Sequence, residues 1–130
     1  MSGRLTTHVL DLSQGIPAIG LTLQLWKHVD GTSKLLCEAV TNNDGRLDAP
    51  LLQGEEMESG CYELLFRVGN YYRSVDSGEM VRGADSQEGS ESNTFFLEEV
   101  PIRFHIGNSQ EHYHVPLLVA PGGYSTYRGS

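Results

Sequence analysis

In four separated stretches of this sequence every second residue is apolar, and that period of two excludes most folds at once. In "LTLQLWKH", Leu21, Leu23 and Leu25 fall on one face and Thr22, Gln24, Trp26 and His28 on the other. "CYELLFRV" aligns Tyr62, Leu64, Phe66 and Val68; "VPIRFHI" aligns Val100, Ile102, Phe104 and Ile106; "HYHVPLLVA" aligns Tyr113, Val115, Leu117 and Val119. Successive side chains of a strand point to opposite faces, so each run reads as a β-strand with one face on a core. Turn residues separate the runs: Gln14-Gly15-Ile16-Pro17, Asp30-Gly31, Asn42-Asn43-Asp44-Gly45, Ser59-Gly60 and Gly107-Asn108. Short strands punctuated in this way predict an all-β sandwich or barrel. The only helix candidate lies near Tyr71–Met80.

A chain of 130 residues is expected to form one domain, 1–130, with enough interior to need no crosslink or metal. No apolar run approaches the roughly 20 residues that span a bilayer. The net charge is −8, and between Arg73 and Glu99 seven acidic residues face two basic ones. Such a balance repels phosphate backbones, so neither nucleic acid nor an anionic membrane is an expected partner. Residues 78–93, "GEMVRGADSQEGSESN", have little to bury and read as a flexible acidic loop insert; a lid is the sharper alternative. Cys37 and Cys61 sit in strand-like stretches without CxxC spacing and are expected to be buried free thiols. The first residues lack a secretory pattern and the last three are Arg-Gly-Ser, not Ser-Lys-Leu, so the expected compartment is the cytoplasm. A peroxisomal location stays open if an address has been lost or is atypical.

The sequence has no GxSxG elbow, HExxH, phosphate-binding glycine loop or EF-hand spacing. What remains is a set of strand histidines. His112 and His114 are two apart, so they share the outward face of their strand, and His8 lies mid-strand in "LTTHVLDL". Two histidines supply too few ligands for a metal site, and no third is identifiable. Histidines on an outer face are commonly plain polar surface. Arg46, directly after "TNNDG", is either an exposed post-turn residue or an anchor for an anion or carbonyl. The tail "YSTYRGS" reads as an edge strand bearing tyrosine and arginine, a composition suited to an interface.

Taken together, "LTTHVLDL…GIPA", "TNNDGRLD" and "HYHVPLL…YSTYRGS" resemble the transthyretin-like 5-hydroxyisourate hydrolases of purine (urate) breakdown, whose signature ending is Tyr-Arg-Gly-Ser. The resemblance spans nearly the whole chain. It implies a transthyretin-like β-sandwich of two four-stranded sheets with one short helix, assembled as a homotetramer, a dimer of dimers, with active sites in a central channel. It implies hydrolysis of 5-hydroxyisourate to 2-oxo-4-hydroxy-4-carboxy-5-ureidoimidazoline, with no cofactor and no metal. By motif, His8, Arg46 and His114 match the catalytic positions. Tyr127, Arg128 and Ser130, with His8 and Arg46, match substrate-binding ones; Gly129 completes the signature, and His112 and Ser125 lie beside these positions in sequence. A neutral imidazole of His8 or His114 would take a proton from water, Arg46 would offset charge on the carbonyl oxygen, and Tyr127 would orient the ring. Two departures from the family pattern are the 78–93 insert and the paired glycines of "APGGYST", expected to loosen the turn before the tail.

Two other classes share this frame. One is a non-enzymatic transthyretin-like carrier of a small hydrophobic ligand; the other is a structural sandwich without activity. The His8, Arg46, His114 set and the Tyr-Arg-Gly-Ser ending favour the hydrolase.

Overall fold

In a computed structural model of the chain, the described residues are 3–79 and 94–129, with the side chains of 76–79 left aside. Nine strands and one α-helix follow in the order β1 (Arg4–Asp11), β2 (Ile16–Pro17), β3 (Thr22–Val29), β4 (Thr32–Val40), β5 (Leu52–Gln53), β6 (Gly60–Phe66), α1 (Val68–Glu79), β7 (Val100–Ile106), β8 (His112–Ala120) and β9 (Gly123–Thr126). One sheet runs β2-β1-β8-β9, with β5 also paired to β1; the other runs β4-β3-β6-β7. The first sheet therefore has five strands rather than the expected four. Strands β2 and β5 each contribute two residues to the same edge, at Leu10–Asp11 and at Arg4–Leu5 of β1, so they share one strand position.

The period-two runs meet between the sheets. Leu21, Leu23, Leu25, Tyr62, Leu64, Phe66, Val100, Leu117 and Val119 are essentially inaccessible to solvent. Each such apolar side chain contributes about 2 kcal/mol through burial. The outward alternates on the second sheet pair with one another: Glu63 accepts from His28 and from Arg103, and Gln24 links Trp26 to Glu38. Among the described residues no helix is long and apolar enough to cross a membrane.

The helix begins at Val68, three residues before the expected Tyr71, and runs to Glu79. Val68, Tyr71, Tyr72 and Val75 recur at the i, i+3, i+4, i+7 spacing of one helical face, and all four lie against the core. Gly78 and Glu79, the first two residues of the expected acidic loop, thus belong to the helix; residues 80–93 lie outside the described residues. Asp11 pins this helix to the end of β1. Its carboxylate, almost wholly buried, accepts hydrogen bonds from the Ser13 amide and hydroxyl, Gln14 Nε2, and the hydroxyls of Tyr71 and Tyr72 at 2.6–3.0 Å. Burial alone would raise its pKa, but the bonds from Ser13, Gln14 and the two tyrosines outweigh burial and hold it below the ordinary value.

Cys37 and Cys61 are both free and half-buried, where full burial was expected. They lie on β4 and β6, on opposite sides of β3. Two strand spacings, about 10 Å, separate those strands, too far for a disulfide. The glycines expected to loosen the turn before the tail instead serve a tight hairpin. Ala120 pairs with Gly123, leaving only Pro121 and Gly122 between β8 and β9.

Candidate active site

Strands β1 and β8 run parallel and in register, Arg4 opposite His112, Thr6 opposite His114 and His8 opposite Pro116. Alternation then puts Arg4, Thr6, His8, His112 and His114 on the outer face of the first sheet. The core face beneath is built from Leu5, Val9, Tyr113, Val115 and Leu117, all buried. The burial that fixes the register also fixes which side chains stand outside.

Arg46 reaches the same place from the loop between β4 and β5. Asn42 knits that loop together: its side-chain oxygen accepts from the amides of Asp44 and Arg46 at 2.9 and 3.1 Å, and its own amide donates to Arg46 O at 2.7 Å. Gly45 closes the turn at φ +74°, and a Cβ there would come within 2.4 Å of Val9 O. Only glycine fits so close to β1 in that backbone region. The Gly45 carbonyl accepts from Val9 N at 2.8 Å, and Arg46 bridges to His8 in antiparallel fashion. Asp44 O accepts from His8 Nε2 at 3.0 Å. A carbonyl can only accept, so the proton of neutral His8 sits on Nε2.

The tail approaches from the other side. Gly129 N donates to His114 O at 2.7 Å, and a Cβ on Gly129 would meet His114 Cδ2 at 2.7 Å. The backbone at Gly129 is therefore packed closely against the His114 ring. Gly129→Ala is expected to push that ring out of place and lower kcat about tenfold with the thermal midpoint nearly unchanged; steady-state kinetics beside a melting curve checks both.

Between these elements lies a half-open cavity of about 360 Å³, lined by Arg4, Thr6, Arg46, Asp48, His112 and His114 among others, ample for a small heterocycle. On a chain of net charge −8, this lining carries two guanidinium groups against one carboxylate, a local setting that attracts an anion. Burial, and then the Arg46 charge, lower the pKa of His8. Burial, Arg46 and His8, in that order, lower that of His114. Both imidazoles are thereby kept neutral near pH 7, able to take up a proton. Among the described residues no three His, Cys, Asp or Glu side chains are grouped to hold a metal ion.

The structure brings His8, Arg46 and His114 together, and His112 lines the cavity with Arg46 and His114. Tyr127 and Arg128 of the same chain line a second, more apolar cavity of about 490 Å³ with Ile102, Phe104, Tyr113 and Val115. There the Arg128 guanidinium lies 4.1 Å from the Tyr113 ring centre and donates to Glu111 and to His112 O. Tyr127 is 60% exposed. Ser125 is exposed on β9, and Ser130 lies outside the described residues. Sequence reasoning missed Thr6, whose Oγ1 is 2.8 Å from His114 Nδ1. Its signal was parity, since Thr6 is two residues from His8 and shares its face.

The family model described as "HIUase/Transthyretin family" matches residues 5–129. A protein of Halalkalibacterium halodurans named 5-hydroxyisourate hydrolase is 52% identical, with 100% of each chain covered. Among solved structures, 5-hydroxyisourate hydrolase of Klebsiella pneumoniae aligns with a TM-score of 0.72 and 33% identity over 98% of this chain and 99% of that one. (S)-allantoin synthase aligns with a TM-score of 0.77 and 39% identity; this chain is 99% covered but spans only 44% of that protein.

Proposed function

The chain belongs to the HIUase/Transthyretin family, and from that premise we infer that it is a hydrolase that opens the six-membered ring of 5-hydroxyisourate in urate degradation. The product is 2-oxo-4-hydroxy-4-carboxy-5-ureidoimidazoline. The observation that carries this reading is the convergence of Arg46 with the His8 and His114 imidazoles, both of lowered pKa, beside a cavity that Arg4, Arg46 and Asp48 line. A carrier of hydrophobic ligands has no use for a cavity lined by Arg4, Arg46 and Asp48.

Hydrolysis of a cyclic amide needs a base for water, a donor for the developing oxyanion and a seat for the flat ring. In this reading His8 and His114 supply the proton-transfer groups. Arg46 holds the substrate's carbonyl or anionic edge; as a fixed cation with five donors, it stabilises the oxyanion more than the neutral ground state. The homotetramer implied by the family resemblance belongs to the same reading. Tyr127, Arg128 and Ser130 then serve substrate binding at the subunit contact, and the chain works in the cytoplasm without a cofactor.

The test is the ultraviolet decay of 5-hydroxyisourate generated in situ from urate by urate oxidase. Decay no faster than the spontaneous reaction overturns the reading. The same assay gives a pH prediction. A base whose pKa is lowered works above that pKa, so kcat/KM is expected to fall only as pH drops through a midpoint below the ordinary imidazole value of about 6.5. Arg46 is a cause of both lowered values, so Arg46→Ala moves this midpoint upward while reducing the rate.

A further inference from the structure

Thr6 has no part in the roles assigned so far, yet it is the direct partner of His114 in the β1–β8 register. Its Oγ1 lies 2.8 Å from His114 Nδ1, across 108 positions of sequence. Building on the hydrolase reading, we propose that Thr6 is a positioning residue that holds His114 with its proton on Nδ1, leaving a bare Nε2 to take the proton from water.

A neutral imidazole has one N–H and one lone pair, and the partner at one nitrogen decides what the other offers. The two histidines of the site are then held in opposite tautomers. His8 gives its Nε2 proton to the Asp44 carbonyl, so that nitrogen is occupied. His114 is held from the other side of its ring. A threonine hydroxyl can accept or donate, and the surroundings choose between the two. The charged and titratable groups facing His114 are His8 and Arg4 from β1, Arg46 and Asp48 from the β4–β5 loop, and His112 from its own strand. Among the described residues of the tail, the backbone at Gly129 reaches the ring, and Arg128 is turned to Glu111. Two of these neighbours are guanidinium groups, which have donors and no acceptor. A nitrogen presented to them is more stable bare than protonated, which sends the proton to Nδ1 and on to Thr6 Oγ1.

The proton balance closes around this arrangement. Nε2 takes a proton from water as the water oxygen bonds to the ring carbonyl carbon. The ring C–N bond then breaks, and the proton passes from Nε2 to the leaving nitrogen. His114 ends neutral, in the tautomer in which it began. Thr6 touches no reacting atom; it acts through the imidazole.

Thr6→Val keeps the shape and the strand preference of the side chain and removes the hydroxyl. It is expected to lower kcat about ten- to a hundredfold with KM within about twofold of wild type, a loss confined to general-base efficiency. Nitrogen-15 spectra of histidine-labelled protein, recorded above the imidazole titration, should show His114 with a protonated Nδ1 and a bare Nε2. In Thr6→Val that pattern gives way to a tautomer average, and Thr6→Ser restores both spectrum and rate. A wild-type spectrum with Nε2 protonated overturns the proposal. So does Thr6→Val turning over at the wild-type rate, or Thr6→Ser as slow as Thr6→Val. If the wild-type chain shows no turnover while its His114 signals still respond to Thr6→Val as described, the hydrolase reading fails and the tautomer lock stands.

Discussion

Replacing His114 with alanine is expected to lower kcat/KM for 5-hydroxyisourate about a thousandfold, within the span assigned to a positioned general base. The ring is half-buried and held from three directions: by Thr6 at Nδ1, by the Gly129 backbone close to Cδ2, and by its own strand in the β1–β8 ladder. A side chain so constrained has already lost its rotational freedom, which is where effective concentration comes from. The fold does not depend on it, because the core lies on the opposite face of β8. Far-ultraviolet circular dichroism should therefore match wild type while turnover collapses. If activity fell less than about threefold, well short of a base's contribution, the proton-accepting role would pass to His8.

The largest expected loss of stability belongs to Asp11→Ala, at about 3 kcal/mol, or roughly a 10 °C drop in melting temperature for a domain of this size. The substitution strips two tyrosine hydroxyls of a charged acceptor. Tyr72 keeps the Val119 carbonyl at 3.1 Å, whereas Tyr71 is left with only a long contact to Gln14. Asp11→Asn retains one carbonyl oxygen and should cost about half as much. Urea denaturation with an unchanged m-value checks the ranking. The same carboxylate carries a pH dependence. Its folded pKa is lowered, so its contribution is complete above the ordinary aspartate value of about 3.9 and is lost as pH falls through the folded value beneath it. Asp11→Ala should accordingly lie closer in stability to wild type in strong acid than at neutrality.

Strands β3, β6, β7 and β8 are legible because alternation repeats often enough to be read: the inward residues expected on β6 and β8 are buried. The two-residue strands β2 and β5 are not, since two residues cannot show a period. The start of α1 was missed for a specific reason. Val68 continues the alternation of Tyr62, Leu64 and Phe66, and it also opens the helical spacing to Tyr71, Tyr72 and Val75. One residue satisfies both periods, and only the packed structure decides between them. At the site, parity placed His112 and His114 on one face. It could not say that this face meets His8 and Thr6, because that depends on parallel pairing between the two ends of the chain.

That pairing sets the order in which the molecule can be made. Strands β3, β4 and β6 find one another within a short span of sequence, so the second sheet can begin to form on a nascent chain. Strand β1 waits for β8, some 108 residues later, and long-range closures of this kind are slow to form. The His114 ring is covered only once Gly129 has been made and has paired with it. A chain that stops short of Gly129 can still bury its core, whose residues run to Val119, but it lacks this contact on His114. Turnover, unlike folding, thus reports that Gly129 has paired with His114.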